Sequence, residues 1–229
     1  MRILVINPNT TASMTATIGE AAKRVAAPGT EVIALNPSSG PASIQGFYDE
    51  AMSLPGLLSL VREHTDVDGI VIACFDDTGL DATRCIATCP VVGIGEAAYH
   101  MASMISNQFS VVTTLSRSVP ALQHNLQRYG LSARCASVRA SDVPVLELEN
   151  KHGDARQRIS SEIEKAIKED KAEAIVLGCA GMTNLAAEFQ ETYGLPVLDG
   201  VVCALSLCES MARLGLKTSR LGGYASPVN

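Results

Sequence analysis

The sequence predicts an α/β fold made of two similar parallel-sheet α/β subdomains related by a pseudo-twofold axis, with the active site in the cleft between them. Three observations carry this. Short aliphatic runs alternate with longer amphipathic stretches, the pattern of a parallel sheet covered by helices on both faces. The second half restarts the first at an offset near 106 residues. RILVINPNT at 2–10 answers to FSVVTTLSR at 109–117, GIVIACFDDT at 69–78 to AIVLGCAGMT at 174–183, and PVVG at 90–93 to PVLD at 196–199. Finally, 47% of the 229 residues are hydrophobic and 18% charged, enough apolar material for a sizeable core.

Each element follows from its local pattern. Ile3–Ile6 is a buried strand. A helix follows, with Met14, Ile18 and Val25 at helical spacing and Asn9, Thr10 or Thr11 as cap. Glu31–Leu35 is the second strand, and residues 36–48, rich in Pro, Ser and Gly, form a long loop of the kind that carries function. Helices over 54–63, 78–88 and 96–106 alternate with strands over 69–73 and 91–94. In the second half, strands are expected at 109–113, 136–139, 174–177 and 197–198. Ser118-Val-Pro-Ala reads as a helix start, with Ser118 as cap and Pro120 in the first turn, and Gly130 closes that helix. Helices at 154–169, 183–193 and 201–214 complete the half. The tail after Leu214 has no counterpart and is expected to pack back on the first half. The subdomains are expected at 1–98, completed by the C-terminal segment 205–229, and at 99–204.

Composition narrows the function. The net charge is −6 and no basic cluster occurs, so nucleic acid is a poor partner. No run approaches the ~20 apolar residues of a membrane span, and MRILVINPNT is too short an apolar start for a signal peptide. A cytoplasmic location is expected. The seven cysteines suggest reduced thiols rather than a disulfide framework. No CxxC occurs, and His64, His100, His124 and His152 are scattered, which disfavours a structural metal.

Two cysteines differ from the rest. Cys74 and Cys179 occupy matched positions in the two halves, each at the carboxyl end of a strand, where ligands of open α/β sheets bind. A pseudo-twofold axis places them across one cleft. Two thiols flanking one carbon can invert it: a thiolate removes a proton from one face while a thiol delivers one to the other. Neither a metal nor an organic cofactor is needed. A thiol pKa near 8.5, lowered at a helix start, suits a general base, and backbone N–H groups after each cysteine suit a developing enolate. The other five cysteines are read as structural.

The stretches NPNT, PASIQGFYDEA, CFDDTGLDA, VVTTLSRSVP and VLGCAGM together resemble the hydantoin racemases of the aspartate/glutamate racemase superfamily, with allantoin racemases as near relatives. The likeness runs over nearly the whole chain. It implies cofactor-independent racemisation of 5-monosubstituted hydantoins or of allantoin, itself such a hydantoin, with the family's catalytic pair on Cys74 and Cys179. It also implies a homo-oligomer, often a tetramer or larger. Gly95 stands where some relatives carry cysteine, and Gln45 where relatives carry glutamate.

Candidate binding residues follow. Asn7 offers a carboxamide to an amide face of the ring, or else a turn before Pro8. Thr114, with Thr113 beside it, ends the equivalent strand. Ser43 and Tyr48 lie in the long loop. Phe75 adjoins Cys74. Asp76 and Asp77 would oppose a thiolate and are read chiefly as helix caps, while Thr78 and Thr183 are substrate contacts or first-turn residues. Ala180 and Gly181 would contribute backbone N–H groups. Against racemisation of aspartate or glutamate stands the lack of Arg or Lys in this set. Maleate isomerisation and arylmalonate decarboxylation occur on the same fold, but the decarboxylases use one cysteine. A non-catalytic small-molecule-binding protein has no use for paired thiols, and a thiol redox protein would carry CxxC.

Overall fold

The computed structural model describes residues 1–150 and 153–227. His152 and the last two residues of the C-terminal segment lie outside them. The chain forms two four-stranded parallel sheets. The first comprises β1 (Arg2–Ile6), β2 (Glu31–Leu35), β3 (Gly69–Ile72) and β4 (Val91–Gly93), in the order β2-β1-β3-β4. The second comprises β5 (Phe109–Thr113), β6 (Cys135–Ala140), β7 (Ala174–Gly178) and β8 (Val197–Asp199), in the order β6-β5-β7-β8. The repeat in the sequence is therefore a repeat of topology.

Strand residues alternate between two apolar layers, as the two-residue period requires. In β1, Ile3 and Val5 face a core shared by both sheets, and Leu4 and Ile6 face an outer layer. In β7, Ala174 and Val176 join the shared core, while Ile175 and Leu177 pack outward with Ile159 and Ile163. The shared core holds α1 (Ala12–Val25), α4 (Ile94–Ile105) and α8 (Gly200–Arg213) between the sheets. A chain division at 204 passes through α8, whose buried face belongs to that core. The outer layers are covered by α2 (Phe47–Glu63) and α3 (Leu80–Ile86) on one side, and by α6 (Ala155–Lys168) and α7 (Ala186–Tyr193) on the other. Helix α5 (Val119–Arg128) packs against β6 and α4.

The tail lies against α3 and its surroundings. Thr218 Oγ1 donates to the Cys89 carbonyl (2.7 Å), Arg220 to the Cys85 carbonyl (2.9 Å), and Tyr224 Oη to Asp81 (3.0 Å).

Four helix starts differ from expectation by two residues or more. Helix α4 begins at Ile94, which the sequence pattern assigns to the preceding strand, rather than at Glu96. Helix α2 begins at Phe47, not near Leu54, and carries Pro55 in its interior. Proline is disfavoured there because it lacks an N–H and crowds the preceding turn; packing of Leu57 and Val61 into the outer layer holds the helix through it. Asp49 and Glu50 in its first turn complement the helix dipole. Helix α3 starts two residues late because Asp77 (φ 53°) and Gly79 (φ 71°) are left-handed. Residues 180–185 form 3₁₀ turns before α7 begins.

Candidate active site

All four central strands deliver residues to one place. Strands β1 and β3 run parallel in one sheet and β5 and β7 in the other, and the carboxyl ends of all four meet at one cavity. Asn7 follows β1, Cys74 follows β3, Thr114 follows β5 and Cys179 follows β7. All four residues line this cavity, which has about 410 Å³ of empty space. The two cysteines thus share one cleft, from equivalent positions in the two halves.

Both cysteines are half-buried and line the cavity. Cys74 Sγ accepts from Thr78 Oγ1 at 3.3 Å and from the Asp76 backbone N–H. Cys179 Sγ accepts from the Gly181 backbone N–H. The donor two residues on is common to both; the threonine is not. Burial drives the Cys74 thiol well above its ordinary range, and the nearby Asp76 carboxyl pushes it further. Burial pushes Cys179 up to about 12, against the pull of the Gly181 N–H. This corrects the expectation of thiols lowered by helix starts. Cys74 precedes two left-handed residues and Cys179 precedes 3₁₀ turns, so neither sits at the end of a long dipole. Desolvation outweighs the donors at both sulfurs and favours the neutral thiol at each.

Of the acidic neighbours read as helix caps, Asp77 is one and Asp76 is not. Asp77 caps another helix: its oxygens accept from Gly95 N (3.0 Å) and Glu96 N (2.8 Å) at the start of α4, and from Tyr129 Oη (2.7 Å). Burial still raises its carboxyl to about 7. At Gly95 an added Cβ would run into the Phe75 carbonyl and the Asp77 carboxylate, so a cysteine here would displace the Cys74 loop. Asp76 faces the cavity and is hydrogen-bonded to Glu50 of α2. Its carboxyl is pushed up to about 8 by burial, then by the charges of Glu50 and Asp77.

Asn7 does line the cavity, but its amide is committed to the β1–α1 turn. Nδ2 donates to Asn9 Oδ1 (2.9 Å) and Thr15 Oγ1 (3.0 Å), and Oδ1 accepts from Asn9 N (3.3 Å). Asn9, which the sequence offers only as a cap, holds the freer donor: its Nδ2 meets only the Met14 thioether, at 3.4 Å. Phe75, Thr114 and Ala180 line the cavity as well. Thr113 donates to the Gly178 carbonyl (2.9 Å) and ties β5 to β7. Thr78 stands behind Cys74, and Gly181 behind Cys179, each as a donor to sulfur. Thr183 donates to Asp199. Ser43 is buried and accepts from Gln45 Nε2 at 2.5 Å; Tyr48 is 74% exposed on the first turn of α2. Neither Ser43 nor Tyr48 is among the residues that line the cavity. Sequence reasoning does not single out Met14, Ile44, Ser118 and Val145 for the site, yet they form much of its wall. Ser118 carries the signal of a helix cap; the others carry only that of apolar residues near strand ends.

Among the described residues, no Lys or Arg lines the cavity. Among the described residues, no cluster of three or more His, Cys, Asp or Glu side chains is placed to hold a metal ion, and no helix is long and apolar enough to cross a membrane.

The Asp/Glu/Hydantoin racemase family model matches residues 3–208. The chain belongs to that family. It is 50% identical to a hydantoin racemase of Rhizobium meliloti over 99% of this chain and 95% of that one. An allantoin racemase from Klebsiella pneumoniae superposes with a TM-score of 0.97 at 47% identity, covering 100% of this chain and 94% of that one. A glutamate racemase from Francisella tularensis subsp. tularensis superposes at 0.68 with 15% identity, over 95% and 84% of the two chains, and shares the fold. The chain is a racemase, an isomerase acting on a small molecule.

Proposed function

We propose that this racemase inverts C5 of 5-monosubstituted hydantoins, allantoin included, by proton transfer between Cys74 and Cys179. The observation that carries this is the arrival of both thiols in one cavity from equivalent strand ends. Hydantoin C5–H is flanked by a carbonyl and a ring nitrogen. One cysteine, as thiolate, takes the proton from one face; the other, as thiol, supplies a proton to the opposite face. The enantiomer is converted back with the roles exchanged. A buried thiolate, once formed, has a high proton affinity and is a strong base toward a weak carbon acid, while burial reduces the fraction of enzyme that carries it. Thr78 and the Asp76 N–H steady it at Cys74, and the Gly181 N–H at Cys179. The Asn9 amide and backbone N–H groups beside the cysteines are the donors offered to ring oxygens.

The walls support a neutral ring over a free amino acid, since among the described residues no Lys or Arg lines the cavity to hold an α-carboxylate. Met14, Ile44, Phe75 and Val145 give the cavity an apolar side, which favours an apolar C5 arm over a ureido group. We further propose a cytoplasmic homo-oligomer of four or more subunits, in keeping with the family resemblance; light scattering on the purified protein reads the subunit count.

The test follows pure D- and L-5-benzylhydantoin and pure allantoin enantiomers by circular dichroism in D2O, with NMR at C5. Both enantiomers should lose optical activity and gain deuterium at C5, with the benzyl compound turned over faster. Cys74→Ser and Cys179→Ser should each stop racemisation. Racemisation by either variant at the wild-type rate, or wild-type racemisation without label uptake, overturns the two-thiol reading.

A further inference from the structure

A two-base racemase finishes each turnover with its proton on the wrong sulfur. If Cys74 has taken a proton from one enantiomer, it must lose that proton before it can take another from the same enantiomer. The cavity around the two thiols is lined mainly by apolar and neutral groups, so the route by which the proton leaves is a structural question.

One route is visible. Asp76 lines the inner cavity with Cys74 and also lines a second, outer cleft of about 770 Å³ of empty space. Glu50, on the first turn of α2, lines only the outer cleft and is hydrogen-bonded to Asp76. Two carboxyls can bond in this way only when one carries a proton between them. Glu50 Oε1 is buried with no protein hydrogen-bond partner in the structure, a site left for a proton or a water. Thr78, whose hydroxyl touches the Cys74 sulfur, lines the same outer cleft. Burial raises the carboxyls of both Asp76 and Glu50, which keeps a proton on the pair near neutral pH.

The charged and titratable groups around the pair are Cys74 and Asp77 on its own loop, Cys179 from the second half, and Asp81 and Arg128 across the outer cleft. The second half offers no equivalent: Ala180 and Gly181 stand where Phe75 and Asp76 stand in the first.

We propose that the Asp76–Glu50 pair is the proton port of Cys74, passing its proton between the inner cavity and water in the outer cleft. The step balances simply. The S–H bond of Cys74 breaks and a proton joins an Asp76 oxygen; the proton shared between the carboxyls moves onto Glu50; Glu50 releases one proton to water. Cys74 is left as thiolate and the pair regains its single proton. The reverse order reloads the thiol. Glu50 acts through Asp76 and is a positioning residue, not one that touches the reacting carbon.

This inference rests on the two-thiol reading, and the test separates the two. Glu50→Gln preserves shape and a hydrogen bond to Asp76 but cannot pass a proton. With 5-benzylhydantoin, its kcat/KM for both enantiomers should stay within about twofold of wild type, because capture and inversion precede the reset. Its kcat should fall at least about tenfold, because the reset limits turnover at saturation. Small diffusible acids such as imidazole should restore kcat in proportion to their concentration, an effect that a merely structural lesion does not show. A variant with wild-type kcat, or one losing kcat and kcat/KM equally without rescue, overturns the port. Failure of the wild-type enzyme to racemise any hydantoin overturns instead the reading beneath it. Asp76→Asn should also lose kcat and regain it with imidazole; because Asp76 lines the cavity beside Cys74, its kcat/KM is free to change as well, and only absence of the rescue counts against the port.

Discussion

The two cysteine loops have the same backbone origin and different chemistry. CFDDTG leaves β3 and CAGMTN leaves β7, each cysteine one or two residues past its strand. In both, the N–H two residues on points at the sulfur. In the first half the carboxylate that caps the next helix comes from the loop: Asp77 reaches into the space left by Gly93 and holds the start of α4. In the second half it comes from the strand end: Asp199, at the position matching Gly93, accepts from Val201 N (2.9 Å) at the start of α8. One structural need is met from opposite sides of the same gap. The exchange has a consequence for the sulfurs. Thr183 is held by Asp199, so Cys179 has no hydroxyl donor from it; its counterpart Thr78 is free to bond Cys74. The repeat supplies the symmetry, and the differing loops make the two thiols unequal.

The largest test of that inequality uses the serine variants singly. Each should lose racemisation by about 10³-fold or more, within the range that general acid–base groups supply. In D2O, each should still exchange C5–H of the one enantiomer that the remaining thiol faces, and the two variants should choose opposite enantiomers. If both exchange the same enantiomer, the halves do not divide the faces between them.

The capping carboxylates come next. Asp77→Asn turns an acceptor toward three donors, Gly95 N, Glu96 N and Tyr129 Oη, into a group that can accept at one atom only. A loss of about 2–3 kcal/mol in urea unfolding is expected, the size of a buried donor left unpaired. Asp199→Asn should cost a similar amount, since it removes an acceptor from one of Val201 N and Thr183. A near-neutral result for either shows that the helix start does not depend on it.

The threonines should separate function from stability. Thr78→Val removes a hydroxyl from a sulfur that carries charge in the reaction, and a hydrogen bond to a charged group is worth about 1.5–3 kcal/mol. Proton removal by Cys74 should slow at least about tenfold, while removal by Cys179 changes little. Thr183→Val should lower stability by about 1 kcal/mol and leave rates of both enantiomers nearly alone. Equal rate effects would erase the distinction between the loops.

Much of this was legible in the sequence because it rests on local pattern. The unbroken apolar runs in RILVI and AIVLG mark strands with two buried faces, and the matched offsets place Cys74 and Cys179 at corresponding ends. What escaped depends on distant partners. Asp77 finds its donors eighteen and nineteen residues away, in α4. The choice between Asn7 and Asn9 turns on which amide the β1–α1 turn consumes. Thiol ionisation turns on enclosure by both halves at once, and no local motif reports that. The start of α2 is hidden because Pro55 is a local signal that tertiary packing overrides.

The smallest effect is thermodynamic. Asp76 and Asp77 have folded pKa values of about 8 and about 7, above the ~3.9 of an unfolded aspartate. The folded chain therefore holds more protons than the unfolded chain between these limits, and stability falls as pH rises. Their contribution is complete below about pH 4 and is lost as pH passes through 7 to 8. Opposing groups elsewhere, such as Asp170 with its lowered carboxyl beside Arg139, act at the acid end and leave the neutral range to this loop. The melting temperature should thus decline from pH 6 to pH 8.5. Asp76→Asn should flatten the decline, because a neutral amide has no proton to lose. A decline that Asp76→Asn leaves unchanged would remove Asp76 from the titration and leave Asp77 as the loop's one titrating carboxyl.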